Sequence, residues 1–253
     1  MFKEIKVIVL AMYVFACPLI VSAGGFGETL QPALIAVTPD HVFAPLGFDD
    51  NDNAQIVLDG ELPDTCHKVG PATFKIDEVS QRIYVQQQAY YYPGAWCAQV
   101  RVPYVQTLNL GLLRAGEYEI VTQRDDGTLI SVSSLPVAAA TTASPDDHLY
   151  APITDVFLEK SLGTLEGRDV FYTLYVSGSF NNSCMKFKEV KMLVRDNNVI
   201  EILPLVEMDK TGGCTQLLTE FNVGVSLKGI SKGRHLIHIR SLNGQSINRV
   251  ADL

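Results

Sequence analysis

The chain repeats itself at a domain-sized interval, and no other feature constrains its fold as much. Cys66 returns as Cys184 and Cys97 as Cys214, at offsets of 118 and 117 residues. From the second cysteine onward the copies stay in register at 117. Gln99 matches Gln216, Tyr104 matches Phe221, Leu108 and Leu110 match Val225 and Leu227, Gly116 matches Gly233, and Ile120 matches Ile237. Upstream, Asp40-His41-Val42-Phe43-Ala44-Pro45 returns as Asp147-His148-Leu149-Tyr150-Ala151-Pro152, at an offset of 107. A period this long belongs to a repeated domain, because solenoid units are several times shorter. The expected organisation is one domain over 24–137, a linker over 138–146 and a second domain over 147–253. The stretch from Pro136 to Pro145 is small, uncharged and bracketed by those prolines, as a short spacer should be.

The first 23 residues read as an export signal. Lys3 and Lys6 precede an uncharged run from Val7 to Ala23, and Val21-Ser22-Ala23 offers small residues at a cleavage site. The run holds 17 residues with Pro18 inside it, against about 20 apolar residues for a membrane span. A lipid anchor at Cys17 is a lesser alternative. No transmembrane anchor is expected after signal removal, so the chain is expected to be exported to the periplasm, outer envelope or exterior. The four remaining cysteines suit an oxidising compartment. The repeat selects Cys66–Cys97 and Cys184–Cys214 from the three possible connectivities. Each bridge would close a loop of about 30 residues, worth roughly 3.5–4 kcal/mol on a chain-entropy account. Zinc would want closer pairs such as C-x2-C, and the sequence has none.

Both copies read as strands. Phe171-Tyr172-Thr173-Leu174-Tyr175-Val176 and Arg82-Ile83-Tyr84-Val85 are rich in β-branched and aromatic residues. Asp126-Gly127 and Asn243-Gly244 fall at equivalent positions and supply hairpin turns. No long stretch carries a capped helical period. About seven short strands per copy with frequent turn signals predict two β-sandwiches. Leu113-Arg114-Ala115-Gly116-Glu117-Tyr118 resembles the tyrosine corner of immunoglobulin-like sandwiches; His235 replaces that tyrosine in the second copy. The pattern Gly60-Glu61-Leu62-Pro63-Asp64-Thr65-Cys66, then Cys97, then Leu113 to Tyr118, resembles uncharacterised secreted bacterial proteins built from such modules. The second copy keeps Gly178 and Cys184 around a changed interior. The resemblance implies an all-β fold of two tandem immunoglobulin-like antiparallel β-sandwiches with one disulfide each, and export; it implies little chemistry.

Differences between the copies are the better guide to function. The first copy carries Tyr90-Tyr91-Tyr92-Pro93-Gly94-Ala95-Trp96 before its second cysteine, where the second has Glu207-Met208-Asp209-Lys210-Thr211-Gly212-Gly213. Tyrosine and tryptophan give large contact area at low entropy cost. Tyr90, Tyr91, Tyr92 and Trp96 therefore form either an exposed binding loop for a protein or glycan, or a cover over the sandwich end. Residues 24–143 carry 14 acids and 6 bases, while residues 144–253 carry 13 and 12. The acidic excess excludes a nucleic-acid backbone binder, which needs clustered cations. Asp49-Asp50-Asn51-Asp52 is either a solvated acidic loop or a loose calcium site using Asp50 and Asp52; Gln55 occupies the turn-glycine position of an EF-hand, which excludes that motif. His41 and His148 are expected to make structural hydrogen bonds, and His235 and His238 to lie on opposite faces of a strand. No G-x-S-x-G, H-E-x-x-H or P-loop occurs, and no cofactor is expected. The expected function is non-enzymatic binding or adhesion. A structural envelope component assembling through sandwich edges is the alternative, and a hydrolase with a spatially assembled site is third.

Overall fold

A computed structural model describes residues 31–253, apart from 95, 125, 145, 163–169, 196 and 210. The signal expected at 1–23, with Cys17, lies outside the described residues. Among those described the secondary structure is all β, with no helix and therefore none able to cross a membrane.

The first copy holds β1 (Ala33–Val37), β2 (His41–Phe43), β3 (Phe48–Asp49), β4 (Ala54–Leu62), β5 (His67–Asp77), β6 (Arg82–Tyr91), β7 (Val102–Gly111), β8 (Gly116–Gln123) and β9 (Leu129–Ala138). The second holds β10 (Ile153–Leu162), β11 (Val170–Phe180), β12 (Met185–Val194), β13 (Val199–Met208), β14 (Thr219–Ser226), β15 (Arg234–Ser241) and β16 (Gln245–Asp252). Each copy is a two-sheet sandwich. In the first, β2-β4-β7 faces a six-stranded sheet in which β1, β5 and β8 flank β6, and β9 and β3 follow β8. In the second, β10-β11-β14 faces β12-β13-β15-β16.

Alternation along the strands fills the cores. Ile56 and Leu58 of β4, Ile83 and Val85 of β6, and Tyr118 and Ile120 of β8 point into one cluster. Leu174, Ile200, Ile202, Ile237 and Ile239 build the other. Tyr118, the expected corner tyrosine, is a core residue at 1 % exposure. One disulfide staples each copy, Cys66–Cys97 and Cys184–Cys214.

Two expectations need correction. The sheets are not purely antiparallel: β6 pairs parallel with β8, and β13 with β15. The cause is topological. The chain leaves β6, forms β7 in the opposite sheet and returns to β8, and two crossings restore the original direction. The matching hexapeptides are also not structural equivalents. Val42 and Phe43 pair with β4, whereas Tyr150 bridges Leu205 on β13 in the other type of sheet. Their sequence likeness marks buried alanines, Ala44 and Ala151, at two different places.

The copies form one packed unit. Even-numbered residues of β15 face the first copy. Arg234 grips Asp59 through both carboxylate oxygens, at 2.6 and 3.0 Å. Leu236 joins Phe43, Val57 and Val199 in a cluster. His238 meets Phe48 edge-on. Arg240 lies 4.4 Å over the Phe48 ring and donates to the Gly47 carbonyl at 2.8 Å. Glu201 of β13 accepts from Leu46 N at 2.7 Å and from Arg195. Burial on both faces explains why His235-Leu236-Ile237-His238-Ile239 reads as nearly continuous apolar sequence.

Candidate functional site

The aromatic segment begins inside β6. Alternation sends Ile83, Val85, Gln87, Ala89 and Tyr91 inward, and Tyr84, Gln86, Gln88, Tyr90 and Tyr92 outward. Inward-facing Gln87 donates to the carbonyls of Gly70 and Gln88, at a bulge between β5 and β6. Tyr91 stacks on His67, with centroids 4.9 Å apart. Tyr90 is exposed on the outer face, between Leu34 of β1 and Lys68 of β5 in the register. Lys68 Nζ lies 5.0 Å from the Tyr92 ring. Beyond the Pro93-Gly94 turn, Trp96 is wholly exposed, at 101 % of its reference area. The four aromatics thus divide: Tyr91 turns inward and is half-buried, Tyr90 and Tyr92 lie on the outer side, and Trp96 stands in solvent.

A rigid frame presents this segment. Cys66 is bonded to Cys97. Asp64 Oδ1 accepts from Cys66 N at 2.8 Å and pairs with His67 Nδ1 at 2.7 Å. The His67 hydrogen bond is the main reason the Asp64 carboxyl titrates below its ordinary range. Tyr92 N donates to Cys66 O, and Ala98 N to Thr65 Oγ1. The second copy repeats the frame: Asn182 caps Cys184 N, Thr215 N donates to Ser183 Oγ, and Asp209 N donates to Cys184 O. Only the side chains on the frame differ. Lys186, the counterpart of Lys68, forms a 3.0 Å pair with Asp209, the counterpart of Tyr92. A hydrogen bond from the Thr211 hydroxyl, and then that pair, hold Asp209 well below the usual carboxylate range.

The acidic segment sits elsewhere and is built into the fold. Asp50 accepts from Ala140 N at 2.8 Å, and the Asn51 amide donates to the Thr142 and Ser144 carbonyls. Asp52 is buried and lies 3.4 Å from Arg240 of the second copy. Burial raises the Asp52 carboxyl above its ordinary range, and the Arg240 charge opposes the rise. Sequence reasoning missed this ion pair, since a carboxylate and an arginine 188 residues apart leave no local signal. Among the described residues, one metal-like grouping appears, Asp64 with Cys66 and Cys97, and its sulfurs are joined to each other.

The histidines have structural partners. His41 lies 3.3 Å from Asp59, His148 meets Tyr150 edge-on, and His235 Nδ1 contacts the Gly233 carbonyl. His238 Nδ1–H donates to Asn248 Oδ1 at 2.8 Å, and burial pushes its pKa down to about 4. A cleft of about 660 Å3 opens at one end of the second copy, between Phe171, Tyr172, Leu227, Ile230 and Leu253, with Lys228 and Lys232 beside it.

Two disulfide-stapled sandwiches, one with an aromatic surface, define a tandem β-sandwich protein. The ORF11 beta-sandwich domain model matches residues 56–132 and 174–251, more than half of the chain, and the chain belongs to that family. Each match runs into the last strand of its sandwich, from β4 to β9 in the first copy and from β11 to β16 in the second. No curated protein and no solved structure matches the chain.

Proposed function

We propose that this protein is an exported, non-enzymatic binding module acting at or outside the cell envelope. Its contact surface is the aromatic segment of the first copy, with Tyr90, Tyr92 and Trp96 meeting a protein or glycan partner and Tyr91 supporting them from within. The observation that carries this reading is the full exposure of the chain's one tryptophan, on a loop stapled by a disulfide. Exposing a large aromatic side chain to water is unfavourable, and rigid exposed aromatics concentrate at binding hot spots. Two disulfides and the apolar leader support export. Histidines engaged with backbone and neighbouring side chains support a binding role over a catalytic one.

The test is affinity capture from envelope or target-cell extract, with the wild-type chain against Tyr90→Ala/Trp96→Ala. Both positions are exposed, so the variant should melt with the wild type. A partner retained by wild type and lost by the variant is expected. Equal capture by both would overturn the assignment of the surface.

A further inference from the structure

We infer that the partner of this surface is an acidic glycan chain, lying along the outer face of β6. The inference rests on the binding role proposed above and names its ligand class.

The aromatic segment continues into a longer stripe. Tyr84, Gln86, Gln88 and Tyr90 share one face of β6 and Tyr92 follows just past its end, a run of about 27 Å at roughly 3.4 Å per residue. At the Tyr84 end the outer face is hollow, with a recess of about 210 Å3 between Thr73, Lys75, Tyr84, Gln86, Gln123 and Leu129. At the other end stand Tyr90 and Tyr92, and the loop that carries the exposed Trp96 follows them. The rung through Gln88 is low, because its β1 neighbour is Ala36 and on the β5 side stands Gly70. A side-chain carbon on Gly70 would come within 2.9 Å of the Gln88 carbonyl oxygen. The face is thus a trough, with aromatic rings at both ends and amides and hydroxyls between. Rings suit the apolar faces of pyranoses, and amides suit their hydroxyls.

The second copy shows that this face is specialised. At the 117-residue offset its stripe reads Glu201, Leu203, Leu205, Glu207 and Asp209. Glu201 is buried against Leu46 of the first copy, and Leu205 is buried beside its bridge partner Tyr150. The sheet face that docks one domain on the other in the second copy is open to solvent in the first.

Charge selects an acidic glycan. The chain carries −8 overall, yet Lys68 and Lys75 flank Tyr90 and Tyr84 on this face. Neither lysine forms an ion pair among the described residues. Lys68 lies over an aromatic ring where its counterpart Lys186 has a carboxylate. Asp77, two residues beyond Lys75, turns its carboxylate to the amides of Val79 and Ser80. Two cations beside aromatic rings match a chain of sugar rings bearing carboxylates.

Trp96 is the chain's single tryptophan, so its fluorescence reports the site directly. The full chain would be titrated with hexagalacturonate, trigalacturonate and neutral cellohexaose, with calorimetry alongside. The hexauronate is expected to bind at least tenfold more tightly than cellohexaose and to weaken with added salt. Tyr90→Ala should cost about tenfold for both uronates. Tyr84→Ala should weaken the hexamer several-fold and leave the trimer unchanged. Lys68→Gln/Lys75→Gln should remove the preference over cellohexaose. Equal affinity for the neutral hexamer, or no response to any sugar, overturns the glycan assignment. If capture of a protein partner still depends on Tyr90 and Trp96, the binding surface stands and only the ligand class falls. If capture is insensitive as well, both fall.

Discussion

The glycine of the Gly-x-Leu-Pro-x-x-Cys pattern has a steric cause at residue scale. Gly60 lies opposite Tyr104 across β4 and β7, and Gly178 lies opposite Phe221 across β11 and β14. A β-carbon on Gly60 would sit 2.7 Å from the Tyr104 hydroxyl oxygen and 2.9 Å from its ring. On Gly178 it would meet the Pro152 carbonyl and, at 2.6 Å, the Phe221 ring. The aromatic ring fills the space that the glycine leaves, a cross-strand pairing that shields an otherwise bare backbone. Gly60→Ala and Gly178→Ala should each lower stability by about 1–3 kcal/mol, the range for overpacking. Gly178→Ala should cost more, because a backbone carbonyl yields less readily than a side chain. Urea unfolding of the full chain reads both, and an unchanged midpoint for Gly178→Ala would contradict the steric account.

At the scale of elements, β15 carries the joint between the copies. Its odd residues, Ile237 and Ile239, fill the second sandwich, while Arg234, Leu236, His238 and Arg240 meet the first. Asp59, on β4, is 2 % exposed and depends on Arg234 for charge compensation. Arg234→Ala should cost about 2–3 kcal/mol, below the cost of a fully buried broken pair because the arginine is partly exposed. Arg234→Met/Asp59→Leu should recover most of that loss, since a matched apolar pair leaves no buried charge unpaired. A double-mutant cycle by denaturant unfolding measures the coupling. Strict additivity of the two single changes would show that the pair does not couple. The strand was legible as a short apolar segment, but the surface covering its outer face was not. Period-two alternation specifies that a face is covered, and it carries no information about which distant strand covers it.

For the whole molecule, the joint makes stability depend on pH. His238 is fully buried beside Arg240, and its Nε2 has no hydrogen-bond partner. Protonation would place a second cation there and leave a buried donor unpaired. Its pKa is therefore about 4 in the folded chain, against 6.5 when unfolded. Above pH 6.5 both states are neutral and stability is at its full value. Between pH 6.5 and 4 the unfolded chain takes up a proton that the folded chain refuses. Stability should then fall by up to about 3 kcal/mol over that window. The raised Asp52 carboxyl acts in the opposite sense, favouring the folded state as it gains its proton, and offsets part of the loss. Melting temperatures across the window should fall for wild type and stay flatter for His238→Gln. Parallel curves would place the acid sensitivity elsewhere.

What the sequence determined by itself was local or periodic in origin. The tandem organisation, the all-β sandwiches and the disulfide pairing followed from register, alternation and cysteine count, because each is written in the spacing of neighbouring residues. The aromatic segment was legible as a difference between two copies. Tertiary structure decided the rest. It sorted Tyr91 inward and Trp96 outward, since only strand register and the disulfide frame set those directions. It turned Asp52 from an apparent surface acid into a buried partner of Arg240, and it paired the buried Asp59 with Arg234. It also left one sheet face open in the first copy and covered its counterpart in the second. The ion pairs and the covered face depend on surfaces more than a hundred residues apart meeting in space, and a linear pattern holds no record of which surfaces meet.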